Sequence, residues 1–312
     1  MTTKGIFLPL GFSCNNNCIH CFLPFADNPV NKSTKEVKKL IRNAAGYGVD
    51  RVSLTGGEPT IRKDIFEIVS FCRDLGITDI QLQTNARMLS YEYFCRKLFK
   101  CGLNEVFVSI HGHTPEIQDS ITQVKGSFEQ SVRGIKNLME MGKKFTGKES
   151  IFANLVVSGY NYRHLPEIVR FFSEIGFPLV EIEYPRILGN AQRFSHLIPS
   201  RQEAAEFMKA AAETGRNLGV ELFIDDFPVC LSKGFYDFNA YVRKGEQEEL
   251  AFYDNEIKDT EEMEKTQGSK CKGCFARNMC PGEWPENVEK FGWKGFRTLS
   301  ENEVKSILKF RR

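Results

Sequence analysis

The chain has 312 residues, 41% of them hydrophobic and 26% charged, the make-up of an ordinary globular protein with room for one large α/β domain and a small appendage. A net charge of +2 gives no global pull toward nucleic acid, and no apolar run reaches membrane-spanning length. The start MTTKGIFLPLGF lacks the zones of a signal peptide, so a cytoplasmic location is expected, where ten cysteines would stay reduced rather than form a disulfide framework.

The first expected strand is IFLPLG from Ile6, and GFSCNNNCIHCF follows it, placing Cys14, Cys18 and Cys21 within eight positions. TKEVKKLIRNAAGYG from Thr34 reads as an amphipathic helix, with Ser33 or Thr34 as its N-cap and Gly46 or Gly48 near its end. RVSLTGG, DIQLQT, EVFVSIHG, FANLVVSG, LVEIEYP and VELFID supply six more strand candidates, with PEIVRFFSEIG and RQEAAEFMKAAAETGRNLG among the helices between them. Alternation at a spacing of roughly 25–30 residues means parallel strands with helical crossovers. Six or seven units are too few for a closed eight-fold barrel. The expectation is a partial (β/α)6 TIM-like barrel over residues 1–225. Beyond it, KGFYDFNAYVRKGEQEELAFYDNEIK is charged, aromatic-spotted and poorly periodic, the acidic DTEEMEK reads as a solvated stretch, and CKGCFARNMCPGEW is rich in cysteine. Residues 226–312 are therefore expected to form a small module of little regular structure, held by a metal or cluster.

Cys72, Cys95 and Cys101 stand alone in helical segments, as inert buried thiols do. Cys14, Cys18 and Cys21 lie after the first strand, at the end where (β/α) barrels keep their active sites. Three thiolates there can converge on one inorganic core. A zinc site completed by His20 is the alternative, but His20 directly precedes Cys21, and adjacent ligands rarely both reach one tetrahedral ion. An iron–sulfur cluster accepts three thiolates and leaves one iron open to a substrate or cofactor.

CNNNCIHC resembles the Cys-x3-Cys-x2-Cys signature of radical S-adenosylmethionine (radical SAM) enzymes. The resemblance implies a [4Fe–4S] cluster whose open iron takes SAM, and reductive cleavage of SAM to a 5′-deoxyadenosyl radical that abstracts hydrogen from a substrate. It places His20 close to the adenine. LTGGEPTIR supports it, since Gly56, Gly57, Glu58 and Pro59 match the family's GGEP element, whose backbone and Glu hold the methionyl amino group. Glycines let backbone approach a ligand closely, and a carboxylate suits an ammonium. QLQTNAR resembles a Thr-Asn-Gly strand end, with Thr84, Asn85 and, where glycine is common, Ala86. By the same resemblance Ser109 would reach the ribose, and Lys125 and Arg133 are candidates for the SAM carboxylate. Asn154 and Arg186 are further polar candidates at strand ends. An ordinary strand-end hydrogen bond is the alternative for each single polar residue. The resemblance covers roughly residues 5–225.

Cys271, Cys274 and Cys280, with Cys230 upstream, resemble the shortened cysteine-rich extension called twitch, a relative of SPASM, which implies a second, auxiliary [4Fe–4S] cluster. A zinc ribbon is the alternative. Cys230 is expected to be a ligand, its alternative being a free thiol that returns hydrogen to a substrate radical. The expected function is peptide modification, by cross-linking, oxidation or epimerisation, with a small polar metabolite as the other substrate class. Expected partners are an external one-electron reductant such as flavodoxin or ferredoxin and, because the first strand begins near residue 5, a separate peptide-recognition protein; neither nucleic acid nor membrane is expected. An iron–sulfur electron carrier or a zinc-stabilised binding protein is the non-enzymatic alternative, but no electron carrier requires GGEP.

Overall fold

The computed structural model describes residues 5–23, 30–147, 150–243, 249–253, 256–259 and 265–310. Most of DTEEMEK, residues 260–264, lies outside them. The chain runs β1 (Gly5–Pro9), α1 (Thr34–Gly46), β2 (Arg51–Thr55), α2 (Ile65–Asp74), β3 (Asp79–Thr84), α3 (Glu92–Cys101) and β4 (Glu105–Ser109). Two helices follow, α4 (Pro115–Thr122) and α5 (Ser127–Thr146), then β5 (Ile151–Val156), α6 (Leu165–Ile175) and β6 (Leu179–Glu183). The short α7 (Asn190–Arg193) and long α8 (Arg201–Leu218) lead to β7 (Glu221–Asp225). The last elements are α9 (Ala240–Arg243), β8 (Glu249–Tyr253), β9 (Glu256–Asp259), α10 (Pro285–Phe291) and α11 (Glu301–Ile307).

Strands β1 to β7 pair in sequence order and in parallel, so six β/α units and a seventh strand make an open, partial barrel. Alternation along each strand separates its two faces. Ile6, Leu8, Val52, Leu54, Ile80, Leu82, Val106 and Val108 are buried in one core with helix residues such as Ile41, Ile68, Leu98 and Leu138. The other, concave face carries half-buried residues, among them Thr55, Gln83, Ser109, Asn154, Glu183 and Asp225 near the C-terminal ends. Helix starts follow the expected chemistry. Ser33 caps α1 and Glu36 reaches back to the Ser33 N–H at 2.7 Å, and Ser200 with Glu203 does the same for α8. Cys72 and Cys95 are buried among core side chains, and burial pushes both thiols up to about 12.

The segment after residue 225 is more ordered than its periodicity implies. β8 adds to the free side of β1 in parallel, Gly5–Phe7 against residues 249–251, and β9 pairs with it as a hairpin. Phe227 and Phe235 enter the barrel core, while Val229, Val242, Ala276, Leu299, Val304 and Ile307 form a second apolar cluster.

Candidate active site

The loop carrying Cys14, Cys18 and Cys21 leaves β1 at the C-terminal end of the barrel and is gripped from several elements. Asn31 accepts from the Phe12 and Ser13 N–H groups at 3.1 Å each. Asn17 and Ile19 donate their N–H groups to Thr122 and Ile121 at the end of α4. Asn190, opening α7, donates its N–H to the Cys21 carbonyl and its side chain to Asn17 and the Cys18 carbonyl. Such a loop is preorganised by the fold.

GGEP is joined to this loop through backbone. Gly57 N–H donates to the Gly11 carbonyl at 2.7 Å and Glu58 N–H to the Ser13 carbonyl at 2.8 Å. A Cβ at Gly56 would stand 2.3 Å from the Gly11 oxygen, and one at Gly57 would stand 2.1 Å from the Ser13 oxygen. Rather than making room for a ligand, these glycines admit the backbone of the cysteine loop. Glu58 is 3% exposed. Its carboxylate accepts from Thr60 N–H (3.0 Å), Thr60 Oγ1 (2.5 Å), Thr84 Oγ1 (2.7 Å) and Asn85 N–H (2.7 Å). Burial raises its pKa against the pull of those donors. Glu58 thus ties the β2 turn to the end of β3, with one oxygen engaged by a single donor.

Asn85 continues the chain of contacts, its side-chain NH2 reaching Asn15 Oδ1 at 2.7 Å and Cys14 Sγ at 4.0 Å. His20 is buried with its ring edge-on to His111, centroids 4.3 Å apart, and its Nδ1 has no hydrogen-bond partner. Burial lowers its pKa to about 3. Ser109 lies opposite Asn154 in register. Asn154 Nδ2 approaches Glu181 at 3.3 Å and Glu183 at 3.5 Å. Lys125 and Arg133 are exposed, and Arg186 is committed to Glu286 on α10 at 2.8 Å. The cation that the fold brings to the loop is one the sequence reading passed over, Arg87. It ends the quoted stretch QLQTNAR, and its guanidinium donates to the Asn15 carbonyl, Asn16 Oδ1 and Gln130 Oε1.

The donor set fits an iron–sulfur core. Burial raises Cys14 to about 11 and Cys21 to about 12, and for Cys18 burial and the neighbouring Cys21 and Cys14 act the same way, so three thiolates here need cationic iron to offset them. Among the described residues, the one trio of ligand atoms within 4.8 Å of one another is Cys18, His20 and His111, a set that could hold a single ion. That reading leaves two cysteines and the GGEP clasp without a purpose; the three cysteines are spread more widely, as a multi-iron core requires.

Two further features flank the mouth. Glu183 lies in register with Asp225, and Glu181 with Asn154. Burial and the charges of Asp226, Glu181 and Asp225 raise Glu183 to about 8. Three cations of the adjoining segments are committed to acids: Arg186 to Glu286, Lys265 to Asp226, and Arg201 to Glu283. Beyond it, Cys230, Cys271, Cys274 and Cys280 line one cavity together with Ala276, Phe296 and Leu299. Leu299 N–H points at Cys274 Sγ at 3.4 Å, and backbone groups of Arg297 and of Val229 and Gly282 favour the thiolates of Cys230 and Cys280. Amide-to-sulfur bonds of this kind accompany bound clusters.

An open (β/α) barrel with a three-cysteine loop clasped to a GGEP turn defines a class of enzyme. Residues 8–172, just over half of the chain, match the model of the Radical SAM superfamily. The chain belongs to that superfamily, whose members use a [4Fe–4S] cluster and SAM. It is 31% identical over 183 residues to the probable GTP 3′,8-cyclase of Methanocaldococcus jannaschii, which covers 58% of this chain and 59% of that one. Over 207 residues it is 28% identical to the Fe-coproporphyrin III synthase of Methanosarcina barkeri, covering 66% and 50%. The match therefore spans between half and three fifths of these relatives' lengths. Among solved structures, Streptococcus suis SuiB bound to precursor peptide SuiA shares the fold, with a TM-score of 0.65 at 16% identity over 97% of this chain and 76% of that chain. No helix among the described residues is long and apolar enough to cross a membrane.

Proposed function

We propose that the chain is a radical SAM enzyme with an auxiliary cluster, acting by net oxidation on a peptide. Residues 1–225 would form the catalytic barrel and residues 226–312 the twitch-like module, in a cytoplasmic protein. The observation that carries the two-cluster reading is the gathering of Cys230, Cys271, Cys274 and Cys280 around one cavity while Cys14, Cys18 and Cys21 share a separate loop. In this reading Cys230 is a ligand rather than a hydrogen donor. A [4Fe–4S] cluster with SAM supplies a 5′-deoxyadenosyl radical when reduced by an external one-electron carrier. The protein's own part is to hold that chemistry at the concave face, exclude water and accept the proton and electron that an oxidised substrate gives up.

The acidic wall bears on the substrate through Glu181 and Asp225, because burial and the neighbouring carboxylates keep Glu183 protonated up to about pH 8. A triphosphate or a tetracarboxylate porphyrin would meet like charge there, whereas a neutral or amine-bearing peptide side chain would not. The names of the curated relatives, GTP 3′,8-cyclase and Fe-coproporphyrin III synthase, favour a small metabolite as the second reading. The test is anaerobic loading with iron and sulfide, reduction with dithionite and addition of SAM. Formation of 5′-deoxyadenosine is expected, faster with a peptide carrying lysine or arginine than with GTP or coproporphyrin. Stimulation by GTP or the porphyrin alone would transfer the proposal to the second reading, and no deoxyadenosine under any condition would remove the catalytic reading.

A further inference from the structure

We propose that Arg87 is a positioning residue that supplies fixed positive charge to the loop of Cys14, Cys18 and Cys21 and so eases entry of the reducing electron, an inference that rests on those thiolates holding the cluster. Ala86 adopts φ 61, a left-handed conformation that a residue with a Cβ rarely takes. Helix α5 holds the strained turn in place. Ser131 Oγ donates to the Asn85 carbonyl at 2.8 Å, Asn137 Nδ2 to the Leu89 carbonyl at 2.8 Å, and Gly134 lets the Ala86 carbonyl approach to where a Cβ would lie 2.0 Å away. The reversal returns the next residue, Arg87, to the segment between Cys14 and Cys18.

There its guanidinium donates to the Asn15 carbonyl, to Asn16 Oδ1 at 2.7 Å and to Gln130 Oε1 at 2.7 Å. All three acceptors are neutral, so no carboxylate offsets the charge through these bonds. Asn16 N–H in turn donates to Cys14 Sγ at 3.3 Å, which puts the cation two hydrogen bonds from a thiolate. Net charge and hydrogen bonding to the sulfurs set the potential of a cluster, and a nearby cation stabilises the more negative, reduced form.

The experiment is an anaerobic redox titration of the full chain carrying both clusters, following the paramagnetic signal that changes when SAM is added. Arg87→Gln should keep its iron but show a reduced-to-oxidised ratio roughly tenfold lower at a fixed poise, about 59 mV for one electron. Arg87→Lys should stay close to wild type. Gln130→Glu, which offers the guanidinium a carboxylate without touching the loop, should shift the ratio in the same direction and decides the matter if Arg87→Gln does not hold its iron. Unchanged ratios in Arg87→Gln and Gln130→Glu would overturn the proposal and leave Arg87 a staple. Equal shifts in the Lys and Gln variants would overturn it too, because shape rather than charge would then matter. Absence of any SAM-responsive signal in the wild type would remove the cluster reading itself.

Discussion

Glu58 shows how one side chain can serve a cofactor loop without facing solvent. It collects Thr60, Thr84 and Asn85 on a buried carboxylate. Glu58→Ala strands those donors in a place water reaches poorly, and each costs about 1–3 kcal/mol if left without an acceptor. The expected outcome is a urea midpoint lowered by the equivalent of at least 2 kcal/mol, together with weaker SAM binding measured by equilibrium dialysis. A loss of SAM affinity with no loss of stability would mean that the carboxylate serves the amino group alone. Glu183 gives the pH prediction. Its pKa is about 8 in the fold and near 4.5 in the unfolded chain, so the folded state binds more protons between those values. Its contribution to stability is complete below about pH 4.5 and is lost as pH rises through 8. Glu183→Gln keeps the site neutral, so melting curves should show the variant gaining on wild type from pH 5 to about pH 8 and little beyond; a constant difference across that range would contradict the shift. The cysteines and GGEP were legible in the sequence because their spacing is local. Arg87 and the Glu183–Asp225 pair were not, since their neighbours arrive through strand register and turn geometry that a linear pattern does not carry.

At the scale of elements, all seven barrel strands were legible, because each alternates or runs apolar for about five residues next to an amphipathic helical segment. β8 was not, since its segment is charged and aromatic-spotted and gains its order from the unpaired edge of β1. Equally hidden was the joint between barrel and module. Arg201 opens α8 and pairs through two nitrogens with Glu283, at 5% and 2% side-chain exposure, while stacking on Tyr184 with its guanidinium 3.9 Å from the ring centroid. Glu283 also accepts from Trp284 N–H and Asn287, and Asn287 bridges to the Pro185 carbonyl and Ile187 N–H after β6. Removing one partner of a buried pair leaves the other charge uncompensated, which costs about 3–5 kcal/mol. Arg201→Met should therefore destabilise strongly in urea, and adding Glu283→Gln should recover much of the loss. Equal stability of the single variant and wild type would show that the pair contributes nothing to the joint.

The molecule carries one cysteine set in the loop after β1 and another around a cavity of the C-terminal segment, and the two depend on the fold differently. The first loop is fixed by strands and helices that need no metal. Among the described residues, the second cavity sits by a cluster of six buried apolar residues, against which Tyr236, Tyr241, Met279 and the cysteines Cys230, Cys274 and Cys280 pack. With the proposed cluster in that cavity, its binding becomes part of the folding free energy of this region. Yet the Arg201–Glu283 joint and β8 tie the region to the barrel, so loss of the metal should loosen the module without freeing it entirely. Replacing Cys271 and Cys274 with serine should lower iron from about eight to about four per chain, the content of one four-iron cluster. Limited proteolysis should then cut within residues 265–310 and leave a resistant barrel fragment, while deoxyadenosine formation continues and substrate oxidation stops. The triple replacement of Cys14, Cys18 and Cys21 should remove the other half of the iron, abolish deoxyadenosine and leave the module resistant. Zinc in place of iron in the second cavity, or equal protease resistance of both variants, would break the link between an auxiliary cluster and the folding of the module.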